Sequence, residues 1–206
     1  MQRLKGLALI FIATIAGCAT LSEEECLTAD WHAIGYEDGA NGERTTRVRS
    51  YREACAKYGV SPSLTDYRTG HKEGLITFCT ASSGYNRAVN GNQYSGVCPD
   101  SLEPDFLEGY QFGREIYQVT SNIEYLERRQ YNNEREQIRI GELLQDKEAE
   151  LFNPEKSEHQ RRRIYEEISR LNEQQGSLQR ERDLLIHDLA NTRTRLLELR
   201  RRSAFY

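Results

Sequence analysis

The chain has 206 residues, with 28 Lys and Arg against 32 Asp and Glu, a formal net charge of −4, and 37% hydrophobic residues. Neither its first nor its second half is basic overall, which removes the electrostatic footprint expected of a nucleic-acid binder. The length suits one modest domain joined to something extended.

The chain opens with "MQRLKGLALIFIATIAGC". Arg3 and Lys5 precede an apolar run from Leu7 to Ala16, then small residues before Cys18, the layout of a secretory signal peptide over residues 1–17. The run is too short for a transmembrane helix, which needs about 20 apolar residues. Ile15-Ala16-Gly17-Cys18 resembles a bacterial lipobox. That resemblance implies cleavage before Cys18, a palmitate-type lipid on its sulfur and a further acyl chain on the new amine. Each buried methylene contributes about 0.8 kcal/mol, and two chains suffice for stable anchoring. Ala19, where Asp would resemble an inner-membrane retention signal, points to the inner leaflet of the outer membrane, facing the periplasm. Residues 18–25 read as a lipidated linker.

Four further cysteines follow, Cys26, Cys55, Cys79 and Cys98. An even number in an exported chain reads as disulfides, with three possible connectivities. A helix starting near Thr28 and another ending near Lys57 would form an αα-hairpin that brings Cys26 to Cys55. Cys79 and Cys98 then close "TASSGYNRAVNGNQYSGV", which reads as a polar loop unable to hold itself. No C-x-x-C or close Cys/His pair favours a metal instead, and no cofactor is expected.

Three stretches repeat one pattern: "DWHAIGYEDG" from Asp30, "DYRTGHKEG" from Asp66 and "DFLEGYQFG" from Asp105. Each sets an aromatic (Trp31, Tyr67, Phe106) ahead of two glycines four apart: Gly35 and Gly39, Gly70 and Gly74, Gly109 and Gly113. Gly35 to Gly70 and Gly70 to Gly109 are 35 and 39 residues apart, a period that stacked helical units produce. The leading Asp suits an N-cap. Glycine costs a helix about 1 kcal/mol relative to Ala, so six of them need close packing in return. Residues four apart share a face, and the motif reads as a helix-docking strip filled by rings from neighbouring helices. A phosphate loop does not fit, because no copy follows a strand or matches a nucleotide fingerprint. His71 takes the slot of Tyr36 and Tyr110 and reads as a packed ring. His32, Glu37, Asp38, His71 and Glu73 are the residues a hydrolase would use.

"W…GYEDG", "YREAC", "Y…GHKEGLITFC" and "YSGVCP" together resemble a group of proteobacterial lipoproteins known only as a domain of unknown function. The resemblance covers roughly residues 26–113. Its most specific part is Phe78-Cys79 … Gly96-Val97-Cys98-Pro99, with Phe78 standing where the family usually has Tyr. It implies an envelope lipoprotein and no known activity. The head is drawn at 26–115.

The remainder, 116–206, is glycine-poor and carries two apolar series. Ile164, Ile168, Leu171, Gln175, Leu178, Arg182, Leu185, Leu189, Thr192, Leu196 and Leu199 keep four-three spacing, a coiled-coil seam. A weaker series runs from Ile116 through Val119, Ile123, Leu126, Gln130, Asn133, Gln137, Ile140 and Leu144 to Lys147 and Leu151. Asn153-Pro154 separates them as a stop and restart. An antiparallel hairpin folded about Pro154 would set Asn133 opposite Gln175 and Leu126 near Arg182, with arms of roughly 50 Å. An intermolecular coiled coil through the second series is the rival arrangement. The arginine clusters at 161–163 and 200–202 read as solvated helix faces.

The expected fold is therefore all-α: a disulfide-stapled helical head with three G-[YH]-x-x-G helices, then a long coiled-coil hairpin. The leading functional reading is a non-catalytic lipoprotein that binds another envelope protein through the coiled coil. Second comes an envelope-glycan (peptidoglycan) module, with Tyr85 and Tyr94 stacking on sugars. An envelope hydrolase is last.

Overall fold

A computed structural model describes residues 21–203; the expected signal segment 1–17 and the expected lipidation position Cys18 lie outside them. The described residues form α1 (Glu23–Thr28), α2 (Trp31–Ala40), α3 (Val48–Ala56), α4 (Leu64–Phe78), α5 (Ala81–Val89), α6 (Glu103–Leu151) and α7 (Glu158–Arg202), with a 3₁₀ turn at Thr45–Arg47 and no strand. They divide into two units. One runs through Phe78 and includes Ser95–Cys98; the other holds Cys79–Tyr94 and everything from Pro99 onward.

In the first unit, residues 23–25 are helical, which corrects their reading as linker. The Ser22 hydroxyl accepts from the Glu25 amide and the Glu25 carboxylate accepts from the Ser22 amide, a reciprocal cap. The helix expected to start near Thr28 is α2, which starts at Trp31 after the separate α1. Asp30 sets that start, its carboxylate accepting from the His32 and Ala33 amides at 3.0 and 3.1 Å. Asp66 and Asp105 instead lie inside the first turns of α4 and α6, and Leu102 precedes α6 with no side-chain cap. The N-cap role therefore belongs to Asp30 alone of the three. Cys26 of α1 is bonded to Cys55 of α3, their Cα atoms 5.5 Å apart. Trp31, Val48, Tyr51 and Tyr67 pack around this bridge. The Cys26–Cys55 bridge closes a loop with a sequence separation of 29. Cys26→Ala with Cys55→Ala is expected to cost about 3 kcal/mol, read as a lower urea midpoint. Cys79 and Cys98 are disulfide-bonded as well.

Helices α2 and α4 meet backbone to backbone. A Cβ at Gly35 would overlap the Tyr67 carbonyl, one at Gly39 the His71 carbonyl, one at Gly70 the His32 carbonyl and one at Gly74 the Tyr36 carbonyl. Rising numbers match rising numbers, so the helices run parallel. Each glycine faces the carbonyl three residues before its counterpart. No ring enters these strips, which corrects the expectation of aromatic filling. The approach is that of small-residue helix pairs, where the missing Cβ admits the neighbouring backbone.

The second unit repeats this device. Gly84 of α5 faces the Phe106 carbonyl, while Gly109 and Gly113 of α6 face the carbonyls of Ala81 and Tyr85. The segment after Cys79, expected as a loop, thus contains a docked helix. Its "GYNRA" is a variant of the repeated motif with Ala88 in place of the second glycine. Thr80 caps it, accepting from the Ser83 amide.

Helix α6 has 49 residues and passes through 115 and 116 without a break, so the boundary drawn there falls inside one element. It turns at 152–157, where the Asn153 side chain accepts from the Glu155 amide and Ser157 caps α7 with Gln160. Helix α7, of 45 residues, returns antiparallel within the same chain. Ile116, Val119, Ile123 and Leu126 bury against Leu185, Leu189 and Leu199. Ion pairs Lys147–Glu167 at 2.8 Å, Glu127–Arg193 at 2.8 Å and Glu115–Arg195 at 3.0 Å hold the register.

The register differs from the one expected. Asn133 meets the Leu178 carbonyl and Glu181, not Gln175, and Arg182 is exposed beside Asp183 while Glu181 takes its place in the seam. The six-residue turn shifts the fold axis beyond Pro154. Glu181 is suited to the inward position because it accepts from both Asn133 and Arg129.

Asn133 is 4% exposed, with its amide donating at 3.1 and 3.2 Å and its oxygen accepting from Gln137. Asn133→Leu is expected to raise the thermal midpoint while broadening the range of cross-hairpin disulfides that engineered cysteine pairs form, because a buried amide trades stability for register. A lower midpoint with unchanged pairing would contradict it.

Candidate functional site

The first unit contains one buried charged cluster, built from α2, α3, α4 and the 3₁₀ turn. Asp38 is 6% exposed. Its Oδ1 accepts from the Tyr51 hydroxyl at 3.0 Å and its Oδ2 from the Tyr67 hydroxyl at 2.7 Å. Arg47 Nε lies 3.2 Å from Oδ1 and donates to the Tyr51 oxygen at 2.9 Å. A second nitrogen of Arg47 pairs with Glu43 at 3.0 Å. Burial, then the bond to Asp38, pushes the Tyr67 phenol well above its ordinary range, and burial likewise raises Tyr51. The Arg47 guanidinium is raised chiefly by its bond to Tyr51. A carboxylate buried with two phenols and a guanidinium satisfies the rule that buried charges are paired and hydrogen-bonded.

His71 completes the layer. It is 2% exposed, with its ring centroid 6.0 Å from that of Tyr67. Nε2 lies 2.7 Å from the Glu43 carbonyl. A carbonyl only accepts, so Nε2 carries the proton. Nδ1 is buried and has no partner among the described residues.

The five hydrolase candidates do not converge. Asp38 has both oxygens engaged, and His71 is turned toward Glu43. Glu37 is exposed. His32 and Glu73 form an exposed pair at 3.1 Å on the outer surface of α2 and α4. The three slot residues also separate: Tyr36 is exposed and reaches Thr77, His71 is buried, and Tyr110 donates to the Asn92 carbonyl at 3.2 Å.

The two glycan candidates are packing residues. Tyr85 is stacked on Phe112, with centroids 6.1 Å apart, and packs against the seam core of the second unit. Tyr94 lies 4.5 Å from the Phe106 ring, and its hydroxyl donates to Glu103 at 2.9 Å. The sequence signal for this role was available: Gly84-Tyr85 repeats the glycine-aromatic step, which places Tyr85 on a packed helix.

The hairpin's outer faces carry large apolar side chains outside the seam. On α6, Tyr131 and Ile138 are 60% and 63% exposed; on α7, Tyr165 and Leu184 are 66% and 67% exposed. Tyr131, Arg135, Ile138 and Glu142 follow at four-three-four spacing and so share one face. Tyr165, Ser169, Asn172, Gly176 and Arg180 do the same on α7, around a concavity of about 480 Å³ floored by Gly176 and bordered by Ile168.

Residues 30–115 match the family described as "Protein of unknown function (DUF2799)", which places this segment in a family of unknown function. The matched segment contains both glycine-paired helix couples, and most of the hairpin lies beyond it. No curated protein and no solved structure matches the chain.

Proposed function

We propose that the chain is an outer-membrane-anchored periplasmic lipoprotein that acts without catalysis, through binding of another envelope protein by its hairpin. The observation that supports this reading is the combination of a satisfied seam with unsatisfied outer faces. The hairpin closes its core within one chain, so Tyr131, Ile138, Tyr165 and Leu184 are not needed for folding and are left to water. Exposed aromatic and aliphatic side chains beside arginines are the composition of protein-binding surfaces. The Asp38 cluster supports the non-catalytic part, since its donors and acceptors are spent on one another. The glycan reading is weaker, because Tyr85 and Tyr94 are occupied by packing.

The test is photocrosslinking in the native cell with probes at Tyr131 and Leu184. A discrete protein adduct from either probe is expected. Adducts released by glycan digestion, or none at either position, would overturn the adaptor reading.

A further inference from the structure

We infer that a groove on the first unit binds a phosphate-bearing ligand, held by Arg49, Arg52 and Arg68. The groove has a volume of about 290 Å³ and lies between the 3₁₀ turn with the first half of α3 and the first half of α4. Thr45, Thr46, Arg49, Arg52, Leu64 and Arg68 line it, with buried Val48 behind them. No carboxylate lines it. That is unexpected on this unit, where Asp and Glu outnumber Lys and Arg over residues 21–78.

The three guanidiniums also differ from their neighbour. Arg47 is committed to Asp38, Glu43 and Tyr51. Arg49, Arg52 and Arg68 make no ion pair or side-chain hydrogen bond with any described residue. Like charges gathered in one concavity repel, and a cleft lined by one sign focuses its potential on an incoming counter-charge. Guanidinium is the side chain whose donor fork fits phosphate oxygens bidentately. The two threonine hydroxyls add neutral donors at the same rim, and Leu64 with Val48 supplies an apolar floor for carbon next to the phosphate. The volume admits a phosphate with a small attached group, short of the usual range for a large organic ligand. A free phosphorylated compound and a phospholipid headgroup present the same chemistry.

The experiment uses the full chain in a neutral detergent at low salt, followed by calorimetry. One arm titrates inorganic pyrophosphate. The other adds micelles carrying phosphatidylglycerol, with the phosphate-free detergent micelles alone as the comparison. Saturable binding is expected in at least one arm, weakened about tenfold or more in both Arg49→Gln and Arg68→Gln. Lys72→Gln, an exposed α4 cation outside the groove, leaves affinity unchanged. Because these side chains are exposed and unpaired, the thermal midpoints stay at the wild-type value. Binding in the pyrophosphate arm assigns a free ligand; binding confined to the phosphatidylglycerol arm assigns a headgroup. No binding in either arm, no loss in the arginine variants, or equal loss in Lys72→Gln overturns the proposal.

Discussion

Gly70→Ala is expected to destabilise the first unit by about 3 kcal/mol, while Gly141→Ala stabilises the hairpin by about 1 kcal/mol. The two substitutions add the same methyl group to the same secondary structure. By helix propensity both should help, since Ala is the better helix former. What decides the sign is the neighbour. At Gly70 the new Cβ falls on the His32 carbonyl, which belongs to the α2 backbone and cannot rotate away. The helices must separate, and the three other glycine contacts along the strip loosen with them. At Gly141 nothing lies within 4 Å of the new atom. Trp31, the sole tryptophan, lies in the core beside α4 and reports unfolding of the first unit by its fluorescence. Equal shifts for the two variants would show that the strips are not backbone contacts. Gly109→Ala, facing the Ala81 carbonyl, is expected to repeat the Gly70 result in the second unit.

The glycine strips were visible in the sequence because glycine in a helix is a local cost that only a close neighbour offsets. Which strip meets which was not visible. Three copies suggested one stack, whereas the chain uses two pairs, and the fourth member hides its second small position as Ala88. A period search weighted on glycine passes over that residue. The polar composition of residues 80–97 pointed to a loop for a similar reason: α5 is short, and one packed face is enough to fix it.

The hairpin seam was the most legible element, since four-three spacing over many turns leaves few alternatives. Its register was less so. Sequence places Gln175, Leu178, Glu181 and Arg182 within two turns, and spacing alone cannot choose between Glu181 and Arg182 at the seam. The choice falls to the hydrogen bonds of Asn133 and Arg129, which are contacts across the hairpin. The Asp38 cluster was least legible. Its members come from four elements, and Tyr51 and Arg47 lie outside every repeated motif. Asp38 itself reads as one more acidic residue beside Glu37, yet the helix turns one outward and the other into the core.

Asp38→Ala is expected to cost about 4 kcal/mol, because two buried phenols each lose an acceptor at about 1–3 kcal/mol apiece. The contribution from Arg47 is smaller, since that side chain is 39% exposed and water replaces part of the pair. Asp38→Asn keeps one oxygen acceptor and is expected to cost about half as much. A catalytic Asp would behave differently, with Asn sparing stability while abolishing activity. The pH response separates the partners further. Tyr67 and Tyr51 have folded-state values raised above their unfolded ones. The unfolded chain therefore ionises first, and the stability these phenols contribute is complete below about pH 10 and declines as pH rises beyond it. Tyr67→Phe removes the larger share of that decline while leaving Asp38 with Tyr51 and Arg47. Its unfolding midpoint is expected to fall less than that of the wild type between about pH 9 and 11. A Tyr67→Phe variant with the full wild-type alkaline slope would mean that its phenol is not held against Asp38, and the cluster would lose its central bond.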